Sequence, residues 1–203
     1  MRKVLFLPGA SGAGEFWQPV AERLPRTWQT VLFDWPGCGI VPADPRVQSF
    51  DDLAGLVLRE LESGPTADLV AQSMGGLVAM KVALGRPEAV RRMVLVATSG
   101  GVDLRPFGVA DWRAEYRAEF PNAAAFVTDE VQEDLTSELT RITAPTLLLW
   151  AEGDAISPPS VGRFLAAHLT QAPVCLVILE HDDHMFARDH ADEVAALIEA
   201  HLR

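Results

Sequence analysis

Cysteine is nearly missing from this sequence: Cys38 and Cys175 are the only two in 203 residues. With no CxxC spacing and no further thiols, a disulfide framework and a zinc ribbon are both excluded, and reduced thiols in a cytoplasmic protein are the expectation. Basic charge is also scarce. Lys and Arg number 17 against 28 Asp and Glu, a formal charge of −11. Nucleic acid or an anionic membrane as main partner would need basic patches, so both are excluded. Long hydrophobic runs are absent too, and none approaches the roughly 20 residues of a membrane-spanning helix. The opening MRKVLFLPGASGAG imitates a secretory signal, but its apolar run is only Val4–Leu7. That is too short for the apolar region of a signal, and it reads better as a buried strand entering a glycine turn.

What the sequence does hold is an apolar content of 49% and enough length for one domain, residues 1–203, with a real core. Acidic residues such as Glu130, Glu133, Asp134 and Glu138 read as solvated faces. No internal repeat, low-complexity tract or linker interrupts the chain.

Short apolar, β-branched runs recur at Lys3–Leu7, Gln29–Phe33, Asp68–Ala71, Met93–Ala97, Thr146–Trp150 and Val174–Leu179. They lack strict alternation, as strands covered on both faces do. Amphipathic segments lie between them, near Phe16–Leu24, Phe50–Leu61, Gly75–Leu84, Ser160–His168 and Ala191–Leu202. Alternating strand and helix predict an α/β fold with a mostly parallel sheet of about six strands. Residues 98–143 break the rhythm, carrying Trp112, Tyr116, Phe120 and Phe126 among polar residues. They read as a small helical excursion, with segments near Ala110–Glu119 and Asp129–Leu139. It is either a set of surface helices or a lid over the carboxyl ends of the strands, where open α/β sheets bind ligands.

The stretch DLVAQSMGG sets Ser73 between a strand and a helix. A tight strand-to-helix turn exposes a serine hydroxyl at the amino end of a helix, whose N–H groups favour developing negative charge. Small residues are needed two positions to either side, where Ala71 and Gly75 stand. Serine becomes a useful nucleophile only when a histidine takes its proton and a carboxylate fixes that histidine's tautomer. Downstream strands supply both. Thr146–Trp150 runs into a turn holding Asp154, and Val174–Leu179 runs into Glu180-His-Asp-Asp-His184. The two loops open on the same edge of a parallel sheet as Ser73. His181 is a rival to His184 as base; Asp34, Asp182 and Asp183 are rivals to Asp154.

Together these motifs resemble the α/β-hydrolase fold superfamily, in its small esterase-like branch, over nearly the whole chain. VLFLPGASGAGEFW is similar to its first strand and oxyanion loop, DWPGCG to its D-x-P-G-x-G loop, and APTLLLWAEGDAISP to its acid turn. HDDHMFARDHADEVAALIEAHL is similar to its histidine loop and last helix. The resemblance implies an α/β-hydrolase fold with a reduced cap at 98–143, since little chain separates Ser73 from Asp154. It implies Ser73 as nucleophile, Asp154 as acid and His184 as base, with the backbone N–H groups of Ala10 and Met74 as oxyanion hole. Pro8 stands where the family usually has histidine, so that loop needs support from elsewhere. Phe16, Trp17, Phe107, Trp112 and Phe186 are candidates for an apolar substrate pocket. The expected activity is hydrolysis of a small ester or thioester, with no cofactor and no metal. The alternatives are carbon–carbon bond hydrolysis or elimination by the same residues, or ligand binding without catalysis on the same scaffold.

Overall fold

The computed structural model describes residues 1–62, 64, 66–98, 101–128 and 133–203. Six strands form one sheet: β1 (Lys3–Leu7), β2 (Gln29–Leu32), β3 (Ala67–Gln72), β4 (Val90–Val96), β5 (Thr146–Ala151) and β6 (Val174–Leu179). Their order is β2-β1-β3-β4-β5-β6 and every pairing is parallel. The chain steps outward from β1 to β2 and then crosses back to β3. The sheet therefore has its switch point between β1 and β3, where open α/β sheets form a ligand crevice.

Alternate residues of each central strand feed two separate cores. Leu5, Leu7, Leu69, Ala71, Met93, Leu95, Leu148 and Trp150 pack on one face. That face is covered by α2 (Phe50–Glu62), α3 (Met74–Gly85) and α6 (Pro159–His168). Val4, Phe6, Val70, Val94, Val96, Leu147 and Leu149 pack on the other. It is covered by α1 (Gln18–Ala21), α7 (Phe186–Asp189) and α8 (Ala191–Leu202). The period of two explains why the strands read as continuous apolar runs: both of their faces are buried.

Helix starts follow local chemistry. Ahead of α2, the Ser49 hydroxyl accepts the Asp52 N–H at 3.2 Å while the Asp52 carboxylate accepts the Gln48 N–H at 2.9 Å, a reciprocal capping arrangement. The expected single helix at Phe16–Leu24 is divided into a 3₁₀ turn (Gly14–Trp17) and α1, with Pro19 in the first turn of α1, where its missing N–H costs nothing.

Between β4 and β5 lie a 3₁₀ turn (Arg105–Phe107), α4 (Arg113–Glu119), α5 (Ala125–Thr128) and a 3₁₀ helix (Thr136–Arg141). The helix expected at Asp129–Leu139 is thus replaced, in its described part, by a later 3₁₀ helix; its first four positions, Glu130 included, lie outside the described residues. Glu133 is not simply solvated, because it forms an ion pair with Lys81 of α3. No helix among the described residues is long and apolar enough to cross a membrane.

Candidate active site

Ser73 occupies the single-residue junction between β3 and α3, with φ 52° and ψ −123°. Outside glycine, only Ser73 and Ala97 among the described residues have positive φ, a conformation that costs an L-residue of order 1–3 kcal/mol. The surrounding backbone holds it there. Ser73 N–H donates to the Val96 carbonyl at 2.9 Å, and the Ser73 carbonyl accepts the Gly76 N–H at 2.9 Å. Gly75 is required: a Cβ there would lie 2.5 Å from the Pro8 oxygen and 2.6 Å from the Leu7 oxygen. Ala71 needs no glycine. It sits in register with Leu7 and Leu95 on ordinary strand backbone, its methyl fully buried.

Asp154 follows β5 and is buried at 2% exposure. Its Oδ1 accepts the N–H groups of Ile156 at 2.8 Å and Ser157 at 2.9 Å, which leaves Oδ2 to meet His184 Nδ1 at 2.7 Å. The turn is pinned in its own right. Ser157 Oγ donates to the Thr98 carbonyl at 2.8 Å and accepts the Trp150 indole N–H at 3.1 Å. With Nδ1 engaged by a carboxylate, His184 carries its proton on that side and keeps Nε2 for a second partner.

Three of the rival groups are occupied elsewhere. His181 Nε2 lies 2.8 Å from Glu193, and its ring stacks on His190 at 3.7 Å. The Asp183 carboxylate accepts the Met185 N–H at 2.6 Å, and Asp34 accepts the Gly14 N–H at 2.8 Å. Glu152 is exposed.

Ser73, His184 and Ala10 line one cavity of roughly 110 Å³, together with Ser11, Gln72, Trp112, Ile156 and Met185. A larger cleft of about 600 Å³ adjoins it across Ser11 and Met185. Of the aromatic pocket candidates, Trp112 is on the cavity wall and the other four are not among its lining residues. Trp17 and Phe186 are fully buried in the core against α1, α7 and α8, and Phe16 packs edge-on against Trp17. Phe107 packs edge-on against Phe164. Gln72, Ile156 and Met185 were not singled out by sequence. Adjacency to Ser73, Asp154 and His184 in the chain was the signal for them.

The loop after β1 gains its support from two buried tryptophans. Trp17 donates its indole N–H to the Leu7 carbonyl at 3.0 Å, and Trp35 donates to the Pro8 carbonyl at 2.7 Å. The loop then closes as a turn in which Gly12 N–H donates to the Gly9 carbonyl at 3.1 Å.

The sequence matches the alpha/beta hydrolase family over residues 4–197. The chain belongs to that family. Among curated relatives, this hydrolase is 27% identical over 240 aligned positions to a pimeloyl-[acyl-carrier protein] methyl ester esterase of Neisseria meningitidis, covering 97% of this chain and 92% of the other. That alignment is longer than the chain's 203 residues, so the relative carries segments with no counterpart here. Among solved structures, the hydrolase fold is similar to 2-hydroxy-6-oxo-6-phenylhexa-2,4-dienoate hydrolase from Rhodococcus sp. strain RHA1. The TM-score is 0.80 at 18% identity, with 100% of this chain and 90% of that one covered. It is also similar to a thermophilic esterase from Thermogutta terrifontis, with a TM-score of 0.77 at 23% identity and coverage of 100% and 90%.

Proposed function

We propose that this hydrolase is a cofactor-free serine esterase acting on a small ester or thioester. Ser73 is the nucleophile, His184 the general base and acid, and Asp154 the group that orients His184. One observation carries the reading: His184, held by Asp154 at 2.7 Å, lines the same cavity as Ser73. The relationship to a methyl ester esterase supports ester chemistry over other uses of the same groups. In this reading residues 1–203 are one catalytic domain of a cytoplasmic enzyme, with 98–143 as a reduced cap.

His184 Nε2 takes the proton of the Ser73 hydroxyl as Oγ attacks the acyl carbon, and the imidazolium that forms is stabilised by Asp154. Two of the acid's oxygen sites are already filled by backbone N–H groups, so its remaining charge is directed at the ring. The backbone N–H groups of Ala10 and Met74 receive the tetrahedral oxyanion, at about 3 kcal/mol for each donor. His184 then protonates the departing alkoxide or thiolate, water attacks the acyl-enzyme, and Ser73 is regenerated.

A fluorophosphonate probe tests this directly. It should label Ser73 in the folded protein, and Ser73→Ala should lose both the label and the turnover of p-nitrophenyl acetate or butyrate. Esterase activity that survives in folded Ser73→Ala would remove the serine from the mechanism. A folded wild-type protein inert to both reagents would favour ligand binding on the scaffold.

A further inference from the structure

Tyr116 is the only tyrosine in the chain, and it joins the excursion between β4 and β5 to the loop that carries Ala10. Its hydroxyl accepts the Gly39 N–H at 2.8 Å and lies 2.7 Å from the Ala10 carbonyl. A backbone N–H only donates, and a phenol has a single proton. The Tyr116 proton is therefore committed to the Ala10 oxygen. The ring is held as firmly: it is 7% exposed, set edge-on to Trp112 at 5.3 Å and packed on Phe120 at 5.0 Å.

The Ala10 carbonyl is the one that matters in this loop. Gly9, Ala10, Ser11 and Gly12 form a four-residue turn closed by the Gly12 N–H to the Gly9 oxygen. The peptide between Ala10 and Ser11 is its central unit. Turns of this kind exist in two forms that differ by rotation of that central peptide, which moves the carbonyl of the second residue from one side of the turn to the other. A hydrogen bond to that carbonyl selects one form.

We propose that Tyr116 is a positioning residue for the oxyanion turn: its hydroxyl anchors the Ala10 carbonyl and so holds in place the residue and the form of the turn that carry the Ala10 N–H. This rests on the serine hydrolase reading above. The start of α4 then has two tasks one helical turn apart, with its N-cap residue Trp112 on the cavity wall and Tyr116 holding the turn that forms another part of that wall. Burial pushes the Tyr116 phenol up to about 12, so it keeps its proton across the ordinary working range of pH.

The test uses the intact protein. Tyr116→Phe keeps the ring contacts and removes only the hydroxyl. Its kcat should fall about ten- to hundredfold with KM little changed, since small displacements of catalytic groups cost on that scale. Affinity for an alkyl boronic acid, which forms a tetrahedral adduct with Ser73, should weaken by a similar factor. Because Tyr116 is the lone tyrosine, biosynthetic replacement by a more acidic fluorotyrosine changes this residue alone and serves also if Tyr116→Phe does not fold. A phenolate cannot donate to Ala10, so the fluorinated protein should lose kcat as pH rises through the lowered phenol pKa, while the wild type keeps its activity there. A Tyr116→Phe kcat within about twofold of wild type, or an unchanged pH profile in the fluorinated protein, would overturn the proposal. A wild type without Ser73-dependent turnover or labelling would sink the underlying reading, and the role of Tyr116 with it.

Discussion

Trp35 and Pro8 are joined by a buried hydrogen bond, the indole N–H donating to the proline carbonyl at 2.7 Å. The partner bond from Trp17 to Leu7 comes from the opposite side, because Trp35 belongs to the core under α2 and α3 while Trp17 belongs to the core under α1 and α8. The end of β1 is thus gripped from both layers of the fold where its own sheet partners stop. Trp35→Phe should lower stability by about 1–3 kcal/mol, the cost of leaving a buried carbonyl unpaired, and should also reduce esterase activity. Urea denaturation beside steady-state kinetics measures both, and a variant equal to wild type in both would show that the indole bond supports nothing.

Asp154→Asn has an outcome dictated by two backbone donors. Ile156 and Ser157 present N–H groups to one oxygen, so the amide must keep its own oxygen there and turn its NH₂ toward His184 Nδ1. His184 is then forced to accept at Nδ1 and to carry its proton on Nε2, where it cannot act as a base. Turnover of p-nitrophenyl butyrate should fall by about 10⁴ with the fold preserved, the scale known for such a tautomer error. A drop of less than about tenfold would remove Asp154 from its assigned place.

Two glycines of α3 should behave in opposite ways. Gly75→Ala sets a methyl against two backbone oxygens of β1 and the loop beyond it, neither of which can rotate away. Thermal melts should show severe destabilisation or no folded protein. Gly85, at the far end of the same helix, has nothing within 4 Å of an added Cβ. Gly85→Ala should be neutral or stabilising by up to about 1 kcal/mol.

Stability should decline in mild acid through His201. Burial lowers the pKa of this imidazole from the ordinary 6.5, and Arg92 adds to the effect. Below pH 6.5 the unfolded chain takes up a proton that the folded chain resists, so acid draws the equilibrium toward unfolding until the folded pKa is also passed. Above both values the group contributes nothing to the pH dependence. The loss of Tm between about pH 7 and about pH 5 should be smaller in His201→Asn than in wild type. Equal losses would assign the acid sensitivity to other groups.

Much of this molecule is legible in its sequence, and for definite reasons. β6 and α8 fall at Val174–Leu179 and Ala191–Leu202, as their apolar patterns indicate. The family follows from loops whose residues are tied to a turn: Gly75 at the elbow, Asp154 after β5, His184 after β6. The pocket was far less readable. Trp17, Phe186 and Trp112 have the same apolar character, and only packing across the sheet decides that the first two fill a core while the third faces a cavity. Trp17 and Trp35 give no local sign that their indoles brace β1, since each bond joins residues 10 and 27 positions apart. Tyr116 stands out only as an aromatic among polar residues; its value comes from meeting loops 77 and 106 positions away.

The backbone of Ser73, at φ 52°, has a consequence for how such a chain drifts over time. Glycine would occupy this position without strain, so a lineage with no use for the hydroxyl would gain stability by discarding it. Proteins hover near a stability threshold, and mutations that relieve strain are readily available to them. A serine in so unfavourable a backbone holds its place at a cost in stability. That cost is of the kind a trade-off between stability and activity leaves at a reacting side chain, as the serine hydrolase reading requires.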